Sequence, residues 1–349
     1  FKQKTAYEML RSLVGSEMCI RDSFLEHAVF KGTKKRTRQQ INAEIEKKGG
    51  IMNAFTDEEL TAFWVKTNAR YFDTAMDVLS DLLLNPTFIK KECDMERKVI
   101  LEEIKMYHDI PKYYTIEKLK ELLYAQPFGM SALGTAKTVS KISRASLIKY
   151  HNIHYAPSNI VISIVGNADV DRIWNISKKI FSKGQVQRQI DRPGVLAAQG
   201  TFEKVIETRK GVDQAHLAIG FYVPTKKDRL RYAAEVFNAA LGLGMSSKLN
   251  EEIREKQGLA YEISSSIDQG RDFAYCMIHA GVPKTKLEKT KKTIIEEIKK
   301  FKSWSQKELD ETKEQLVNLR EVENENTVRV AERLLNEQVV GDAKEFYRY

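Results

Sequence analysis

Hydrophobic and polar positions follow two periods along this chain, one typical of amphipathic helices and one typical of short strands. The helical period predicts helices from about residue 24, at 38–48, 71–84, 90–106, 114–123, 170–181, 229–241 and 246–256, and in the charged region after about 280. Runs rich in β-branched and aromatic residues predict strands at 52–67, 159–165, 204–207, 214–222 and from 259 to about 279. This mixed order of strands and helices predicts an α+β fold, with sheets layered against helices.

An internal repeat underlies this pattern. The segment Ile41–Gly50, INAEIEKKGG, matches Leu249–Gly258, LNEEIREKQG, and each copy runs into a strand-like stretch. A weaker match relates Lys91–Asp94 to Lys307–Asp310. Two copies of one unit explain both matches. Chance similarity between helices rich in lysine and glutamate is the alternative.

The repeat and the length of 349 residues predict two domains. We place them at residues 23–183 and 201–349. The segment 184–200 contains Pro193 and mixed polar residues and is predicted to be the linker.

Charge and cysteine usage narrow the function classes. The formal net charge is +9, but lysine and glutamate are interspersed, as in solvated helix faces, so we expect no nucleic-acid partner. No apolar stretch reaches the length of a membrane span. The three cysteines, Cys19, Cys93 and Cys276, have no paired spacing and indicate neither a disulfide framework nor a cysteine zinc site. This usage fits a reducing compartment, and a soluble, cytoplasmic protein is the working expectation.

The candidate chemistry lies in the run Ser23-Phe24-Leu25-Glu26-His27. In a helix, an H-x-x-E-H run places two histidines on one face toward a metal ion, with a glutamate beside them. Serine occupies the first histidine position here. Taken alone, a Glu-His pair is more typical of a solvated helix surface.

Several segments add weight to the metal hypothesis. They are 24–33 (FLEHAVFKGT), Gly50, 53–56 (NAFT), 96–103 (ERKVILEE), 244–249 (GMSSKL) and 254–261 (REKQGLAY). Together they closely resemble the pitrilysin/insulinase family of zinc metallopeptidases, the inverted zincins, as in mitochondrial-processing-peptidase-like proteins. The resemblance covers the chain from residue 24 onward. It implies two homologous sheet-plus-helices domains facing each other as a clam-like chamber, and a metalloendopeptidase acting on unfolded peptides or presequence-like segments.

The resemblance also implies roles in a metal centre. Glu26 would be the general base, and one Zn²⁺ in the N-terminal domain would be bound by His27 and Glu103, with the first ligand expected at the position of Ser23. Glu96, seven residues before Glu103 and therefore on the same helix face, would lie behind the ligands.

Substrate contacts follow from the same resemblance. Asn53 and Ala54 would open an exposed edge strand that binds a peptide in extended form. Arg254 and Tyr261, in the non-catalytic C-terminal repeat, would hold the substrate backbone and the developing oxyanion. The remaining histidines carry less weight. His151 and His154 fit an ordinary turn before Pro157, and His108, His216 and His279 are isolated in the sequence.

The opening segment 1–22 lacks a clear amphipathic period and resembles a translated sequencing adapter, in which ATG TGT ATA AGA GAC encodes Met18–Asp22. We therefore expect it to be non-native, the opening strands of the first domain to be missing, and the second domain to be truncated. The adapter continues with AG, so the serine codon at 23 ends in T or C. Histidine codons end in the same bases, as do codons of many other residues, so a lost histidine is permitted at this position without being established. If serine is the genuine residue, the alternative is a non-catalytic partner or scaffold subunit, in a homo- or hetero-dimer with a family member.

Overall fold

A computed structural model of the chain describes residues 5–10, 16–125, 128–131, 133–167, 169–182 and 204–348, with side chains described from residue 20 onward. The predicted linker at 184–200 lies outside the described residues. Among the described helices, none is long and apolar enough to cross a lipid bilayer.

Helices and short strands alternate along the described chain. In order they are β1 (Thr5–Leu10), α1 (Ser16–Val29), α2 (Arg38–Glu46), β2 (Ile51–Thr56), β3 (Thr61–Lys66), α3 (Phe72–Leu84), α4 (Lys90–Asp109), α5 (Pro111–Leu123), α6 (Ala136–Lys141), α7 (Arg144–His154), β4 (Ile160–Val165), α8 (Val170–Phe181), β5 (Gln214–Tyr222), α9 (Arg231–Gly242), a helical segment Asn250–Lys256, β6 (Glu262–Gln269), β7 (Ala274–Pro283), α10 (Leu287–Lys300), α11 (Gln306–Glu323) and α12 (Thr327–Val340). The predicted α+β class is confirmed.

The chain divides into two compact units that do not follow chain order. Unit 1 comprises residues 1–104, 131–193 and 322–349, and unit 2 comprises residues 105–130 and 194–321. Thus α12 groups with the first unit and α5 with the second. The predicted division, with domains at 23–183 and 201–349, places α5 in the first domain and α12 in the second, and the compact units have both the other way round.

Unit 1 contains an antiparallel sheet with strand order β2-β3-β1-β4. The central strand β1 pairs with β3 on one side and β4 on the other. This strand and the first turns of α1 lie within residues 1–22, where the sequence pattern predicts no element. That this segment is non-native remains a prediction. The backbone N–H and C=O groups of β1 pair with those of both neighbouring strands, and this pairing does not depend on a side-chain period.

The core of unit 1 lies between this sheet and its helices. Phe24, Leu25 and Val29 of α1 are fully buried, as are Phe63 and Val65 of β3. Burial of such side chains stabilises by roughly 1.5–3 kcal/mol each, so α1 is held firmly against the sheet. On the other side, α12 packs on the sheet, and Ser163 Oγ of β4 donates to the Ala331 carbonyl at 3.1 Å.

Unit 2 contains an antiparallel sheet with strand order β5-β7-β6. One of its faces packs on an apolar core that includes Leu241, Ile278 and Ile294. The other face is approached by α5, since Leu119 and Leu123 lie against Gly220 of β5. Tyr124, which follows α5, donates its hydroxyl to the Ala274 carbonyl at 3.1 Å.

The helix-plus-hairpin repeat is visible in both units. In unit 1, α2 is followed by Gly49 at φ 69° and the hairpin β2-β3, and in unit 2 the segment Asn250–Lys256 is followed by Gly258 at φ 57° and the hairpin β6-β7. Glycine is favoured where a helix ends in this left-handed conformation. The left-handed glycine lies one position apart in the two copies, because Gly258 matches Gly50 in sequence and not Gly49. Gly50 is required for a different reason, since a Cβ atom there would lie 2.8 Å from Ile45 Cγ2.

Two strand predictions are wrong in detail. Residues 52–67 form a hairpin instead of one strand, because Asp57 Oδ1 accepts the backbone N–H groups of Glu59 and Leu60 at 2.8 and 2.7 Å and closes a turn. Lys204–Glu207 is not a strand. There the Glu207 carboxylate is held by the Tyr114 hydroxyl at 2.7 Å and the Arg209 guanidinium at 2.8 Å.

Unit 1 is expected to lose stability in mild acid through His154. Burial lowers the pKa of His154 to about 4, and the charge of Arg21 adds to the shift. The unfolded histidine binds its proton near pH 6.5, so stability is complete above that pH and is lost as the pH falls toward 4. Between pH 7 and pH 5 this group should cost about 2 kcal/mol.

Urea unfolding at both pH values measures this effect. His154→Phe keeps the aromatic packing on Tyr150, whose ring centroid lies 4.0 Å away, and should remove that part of the pH dependence. The exposed His108→Gln is the control. Equal pH dependence in the parent and His154→Phe would contradict the assignment.

Candidate metal centre

The candidate motif lies near the C-terminal end of α1, in a helical turn that faces β2 and α4. Glu26 and His27 are partly buried, and Ser23, one turn earlier, is buried at 6% exposure. Phe24 and Leu25 enter the core between them. The apolar residues thus fix the rotation of α1, and the polar residues of the motif face the same side as α4.

Helix α4 supplies two carboxylates to this place. Glu96 and Glu103 are two helical turns apart, and Ile100 between them is buried in the core. The same rotation of α4 that buries Ile100 therefore brings both carboxylates to α1. Glu96 is buried, and the side chain of Glu103 is 28% exposed.

His27 is held between these two carboxylates. Its Nδ1 lies 3.1 Å from Glu96 Oε2, and its Nε2 lies 3.7 Å from Glu103 Oε2. The other oxygen of Glu96 is 2.6 Å from Lys31 Nζ. Glu96 is thus occupied by two partners, and it orients the ring of His27.

This orientation suits a metal ion. When Nδ1 carries the proton and donates to Glu96, Nε2 presents its lone pair toward the Glu103 carboxylate, so a proton or a cation must lie between them. Two ligand atoms of a tetrahedral zinc ion are separated by about 3.4 Å, close to the 3.7 Å found between His27 Nε2 and Glu103 Oε2. A carboxylate behind a ligating histidine is a common arrangement.

Glu26 lies beside this pair without joining it. Its Oε2 accepts the Thr56 hydroxyl at 2.6 Å, at the end of β2. Burial raises the pKa of the Glu26 carboxyl, while the Thr56 hydrogen bond and the charge on His27 act against this shift. A base with a raised pKa takes up a proton more readily near neutral pH. A bound cation would act in the opposite direction.

The donor set has only two protein ligands. Serine is not among the usual ligands of zinc, which are cysteine, histidine, aspartate and glutamate. A zinc ion here would be held by His27 and Glu103, and the position of Ser23 would leave the third ligand of the set unfilled.

Sequence reasoning brought Glu26, His27, Glu96 and Glu103 together, and the structure places all four within one site. It missed Lys31 and Thr56, which hold Glu96 and Glu26. Lys31 lies one turn after His27, on the same side of the chain, and this spacing was the available signal.

The other predicted site residues lie apart from this cluster along the chain. Asn53 and Ala54 lie on β2, which is an edge strand of its sheet. In unit 2, Arg254 is on the segment Asn250–Lys256 with Nε 3.6 Å from Glu255 Oε1, and Tyr261 is 75% exposed.

The second copy of the repeat carries a different polar pair at the equivalent helix. Glu235 of α9 is 2.9 Å from Arg320 of α11. Arg320 is next to Leu319, which matches Glu103 when the offset between Lys91–Asp94 and Lys307–Asp310 is continued along the chain. A guanidinium thus neutralises the acid of this helix.

His151 and His154 lie on α7, a helix instead of the predicted turn. His151 donates from Nε2 to the Leu83 carbonyl at 2.7 Å, and burial lowers its pKa. These histidines belong to the core of unit 1.

Two family models match this chain. Residues 23–136 match the model of the insulinase family (peptidase family M16), and residues 141–316 match that of the peptidase M16 inactive domain. The chain is 32% identical to YmxG of Bacillus subtilis, an uncharacterized zinc protease, over 84% of this chain and 71% of that protein. It is 33% identical to an uncharacterized zinc protease of Rickettsia felis, over 80% of this chain and 67% of that protein.

The fold also matches a crystal structure of a protease from Helicobacter pylori. The TM-score is 0.93 at 24% identity, and the match covers 100% of this chain and 87% of that one. The relatives from Bacillus subtilis and Rickettsia felis are zinc proteases by name. The first family match contains the repeat segment Ile41–Gly50, and the second contains the segment Leu249–Gly258. The chain belongs to the insulinase family, peptidase family M16.

Proposed function

We propose that this chain is a zinc-dependent endopeptidase that cleaves unfolded peptides or presequence-like segments, with one zinc site in unit 1. The observation that carries the proposal is the placement of His27 between Glu96 and Glu103, at 3.1 and 3.7 Å. Two separate helices must be rotated correctly to bring these three side chains together.

The residues would divide the work as follows. His27 and Glu103 would hold the zinc, and Glu96 would keep the His27 ring in orientation through its Nδ1. A bound zinc would act as a Lewis acid and lower the pKa of a water molecule. Glu26 would accept the proton of that water as it attacks the peptide carbonyl and pass it to the leaving amine. Thr56 would hold Glu26 in place through its hydroxyl.

We further propose that the substrate lies in extended form along β2. An edge strand has unpaired backbone groups on one side, and a peptide bound there is recognised with little demand on its sequence. The backbone N–H of Ala54 donates to the side-chain oxygen of Asn53 at 2.8 Å. A carbonyl group of a bound peptide would replace this oxygen as the acceptor, or the peptide would bind beside the Asn53 side chain. Arg254 and Tyr261 are proposed to donate to the substrate backbone and the oxyanion.

A second function has one observation in its favour. Residue 23 is serine, and a chain that binds no zinc would act as a non-catalytic partner or scaffold subunit beside another family member. The placement of Glu26, His27, Glu96 and Glu103 in one cluster favours the peptidase. A non-catalytic subunit does not need these four side chains together.

As the chain stands, we expect weak zinc binding at His27 and Glu103 and little cleavage of a quenched, unfolded peptide, because two protein ligands hold zinc poorly. Glu103→Gln should weaken this binding by at least about 10-fold, since even residues behind the ligands contribute 10–100-fold. The neighbouring Glu102→Gln, on an exposed position of α4, is the matched control. Zinc titration and a fluorescence assay with and without a chelator measure both effects.

Two results would count against this assignment. Clear chelator-sensitive cleavage by the unchanged chain would show that the site is complete without a histidine at position 23. Equal zinc binding by the Glu103→Gln and Glu102→Gln variants would show that Glu103 is not a ligand.

A further inference from the structure

A second group of potential metal ligands lies in unit 2, on the sheet β5-β7-β6. Among the described residues, His216, Glu262 and His279 each offer one ligand atom, and these atoms lie within 4.8 Å of one another. The three residues come from three different strands. His216 and His279 were treated as isolated in the sequence, and that expectation is wrong.

The strand register explains why they meet. His216 of β5 and Glu262 of β6 both lie opposite Gly281 of β7, one on each side. His279 lies two residues before Gly281 on the same strand, and residues two apart share a face of a sheet. All three side chains therefore project from one face, around Gly281.

Gly281 leaves the space that this arrangement needs. A Cβ atom there would lie 3.2 Å from Glu262 Cγ and 3.3 Å from Gln214 Oε1. Both contacts are tighter than ordinary packing distances. The absence of a side chain at this position lets the flanking side chains lean toward each other across β7.

The distances suit a small cation. His216 Nδ1 lies 3.2 Å from His279 Nε2, and His279 Nδ1 lies 3.6 Å from Glu262 Oε1. Ligand atoms of a tetrahedral ion are about 3.4 Å apart. A single ion would use one nitrogen of His279, so a modest rotation of this ring or of the Glu262 side chain completes the set.

The surroundings set the charge state of the ligands. Burial lowers the pKa of His279 to about 4 and lowers the pKa of His216, and Glu262 acts against both shifts. A lowered pKa favours the neutral imidazole, which is the form that binds metal ions. The charged group that opposes a cation is Lys112 of α5, whose Nζ lies 3.0 Å from Glu262 Oε2. It occupies the second oxygen of Glu262 and leaves Oε1 toward His279.

We propose that His216, His279 and Glu262 bind one divalent transition-metal ion, of which Zn²⁺ is the best match, at a second site in unit 2 that is independent of His27 and Glu103. Two histidines and one carboxylate are a set typical of zinc. Because the three ligands join all three strands of the sheet, the ion would stabilise unit 2 against unfolding.

Cobalt titration of the full chain tests this site, because Co²⁺ replaces zinc in such sites and its visible absorption reports a tetrahedral set. The parent chain for this experiment carries His27→Ala and Glu103→Gln, which remove the first site. We expect this parent to bind one equivalent of Co²⁺, and zinc to displace it. His216→Gln and Glu262→Gln, made separately in the parent, should each weaken binding by at least about 10-fold.

Matched controls are His108→Gln and Glu255→Gln, which lie in the same unit outside the cluster. Circular dichroism checks that each variant is folded, and His216 and Glu262 are only partly buried, so their substitution disturbs the core little. A parent without cobalt absorption would overturn the proposal. Cobalt affinities of both folded variants equal to that of the parent would also overturn it. The cluster would then be only a hydrogen-bonded pair of histidines beside an ion pair. Neither result depends on peptidase activity, so failure here leaves the proposed function untouched.

Discussion

The Ser23→His variant is expected to bind zinc more than about 100-fold tighter at the first site than the unchanged chain, because a full ligand should exceed the 10–100-fold contribution of residues behind the ligands. Residue 23 lies one turn before His27 on α1, so a histidine there projects to the same side. Chelator-sensitive cleavage of unfolded peptides should appear with the zinc. Ser23 is buried at 6% exposure, so the larger ring is expected to cost about 1–3 kcal/mol of folding stability when no metal is present.

Two matched variants separate ligation from other effects. Ser23→Ala removes the hydroxyl without adding a ligand and should bind zinc as the unchanged chain does. Ser23→His combined with Glu103→Gln should lose most of the gain. Zinc content after dialysis, thermal unfolding with and without zinc, and peptide cleavage are the measurements. Every chain compared also carries His216→Gln and Glu262→Gln, so that the cluster in unit 2 does not contribute zinc. A folded Ser23→His variant without tighter zinc binding would remove the peptidase proposal and leave the non-catalytic subunit.

The helices of the candidate metal centre could be predicted from the sequence because the spacing of their polar residues is local. Glu26 and His27 are adjacent on α1, and Glu96 and Glu103 share a face of α4 by helical spacing alone. The resemblance then related the two helices. No periodic pattern states which side chain of α4 meets which nitrogen of His27, since that depends on how both helices pack on the sheet.

Strand partners could not be read from the sequence in the same way. Side chains alternate along every strand, so the pattern gives the buried face and leaves the register open. His216 and Glu262 both face Gly281 only because β5 and β6 pair with β7 in this register. The cluster in unit 2 therefore had no sequence signal beyond three residue types that bind metals.

The sequence also did not show which unit contains the last long helix. Helix α12 follows the second copy of the repeat, yet Leu335 and Val339 pack with Leu60 and Ala62 of unit 1. Its amphipathic pattern predicts an apolar face but carries no information about which sheet covers it. The strand β1 is a related case, because its place between β3 and β4 follows from backbone pairing.

Glu26→Gln in the Ser23→His background is expected to lower kcat by about 100- to 10,000-fold, the usual contribution of a general base, while zinc binding is retained. Glutamine has nearly the same shape, and its side-chain carbonyl can still accept the Thr56 hydroxyl that Glu26 accepts at 2.6 Å. It cannot take a proton from water. Because Glu26 lies beside His27 and Glu103 without joining their contacts, its substitution should leave the affinity for zinc within a few-fold, whereas Glu103→Gln should remove metal and activity together. Glu58→Gln, in the loop after β2, is the control for the loss of one negative charge nearby. Single-turnover cleavage with saturating zinc separates the chemical step from metal loading.

A Glu26→Gln variant that keeps full kcat would exclude Glu26 as the base. Loss of zinc in that variant would make Glu26 a ligand, and the division of roles between α1 and α4 would have to be redrawn.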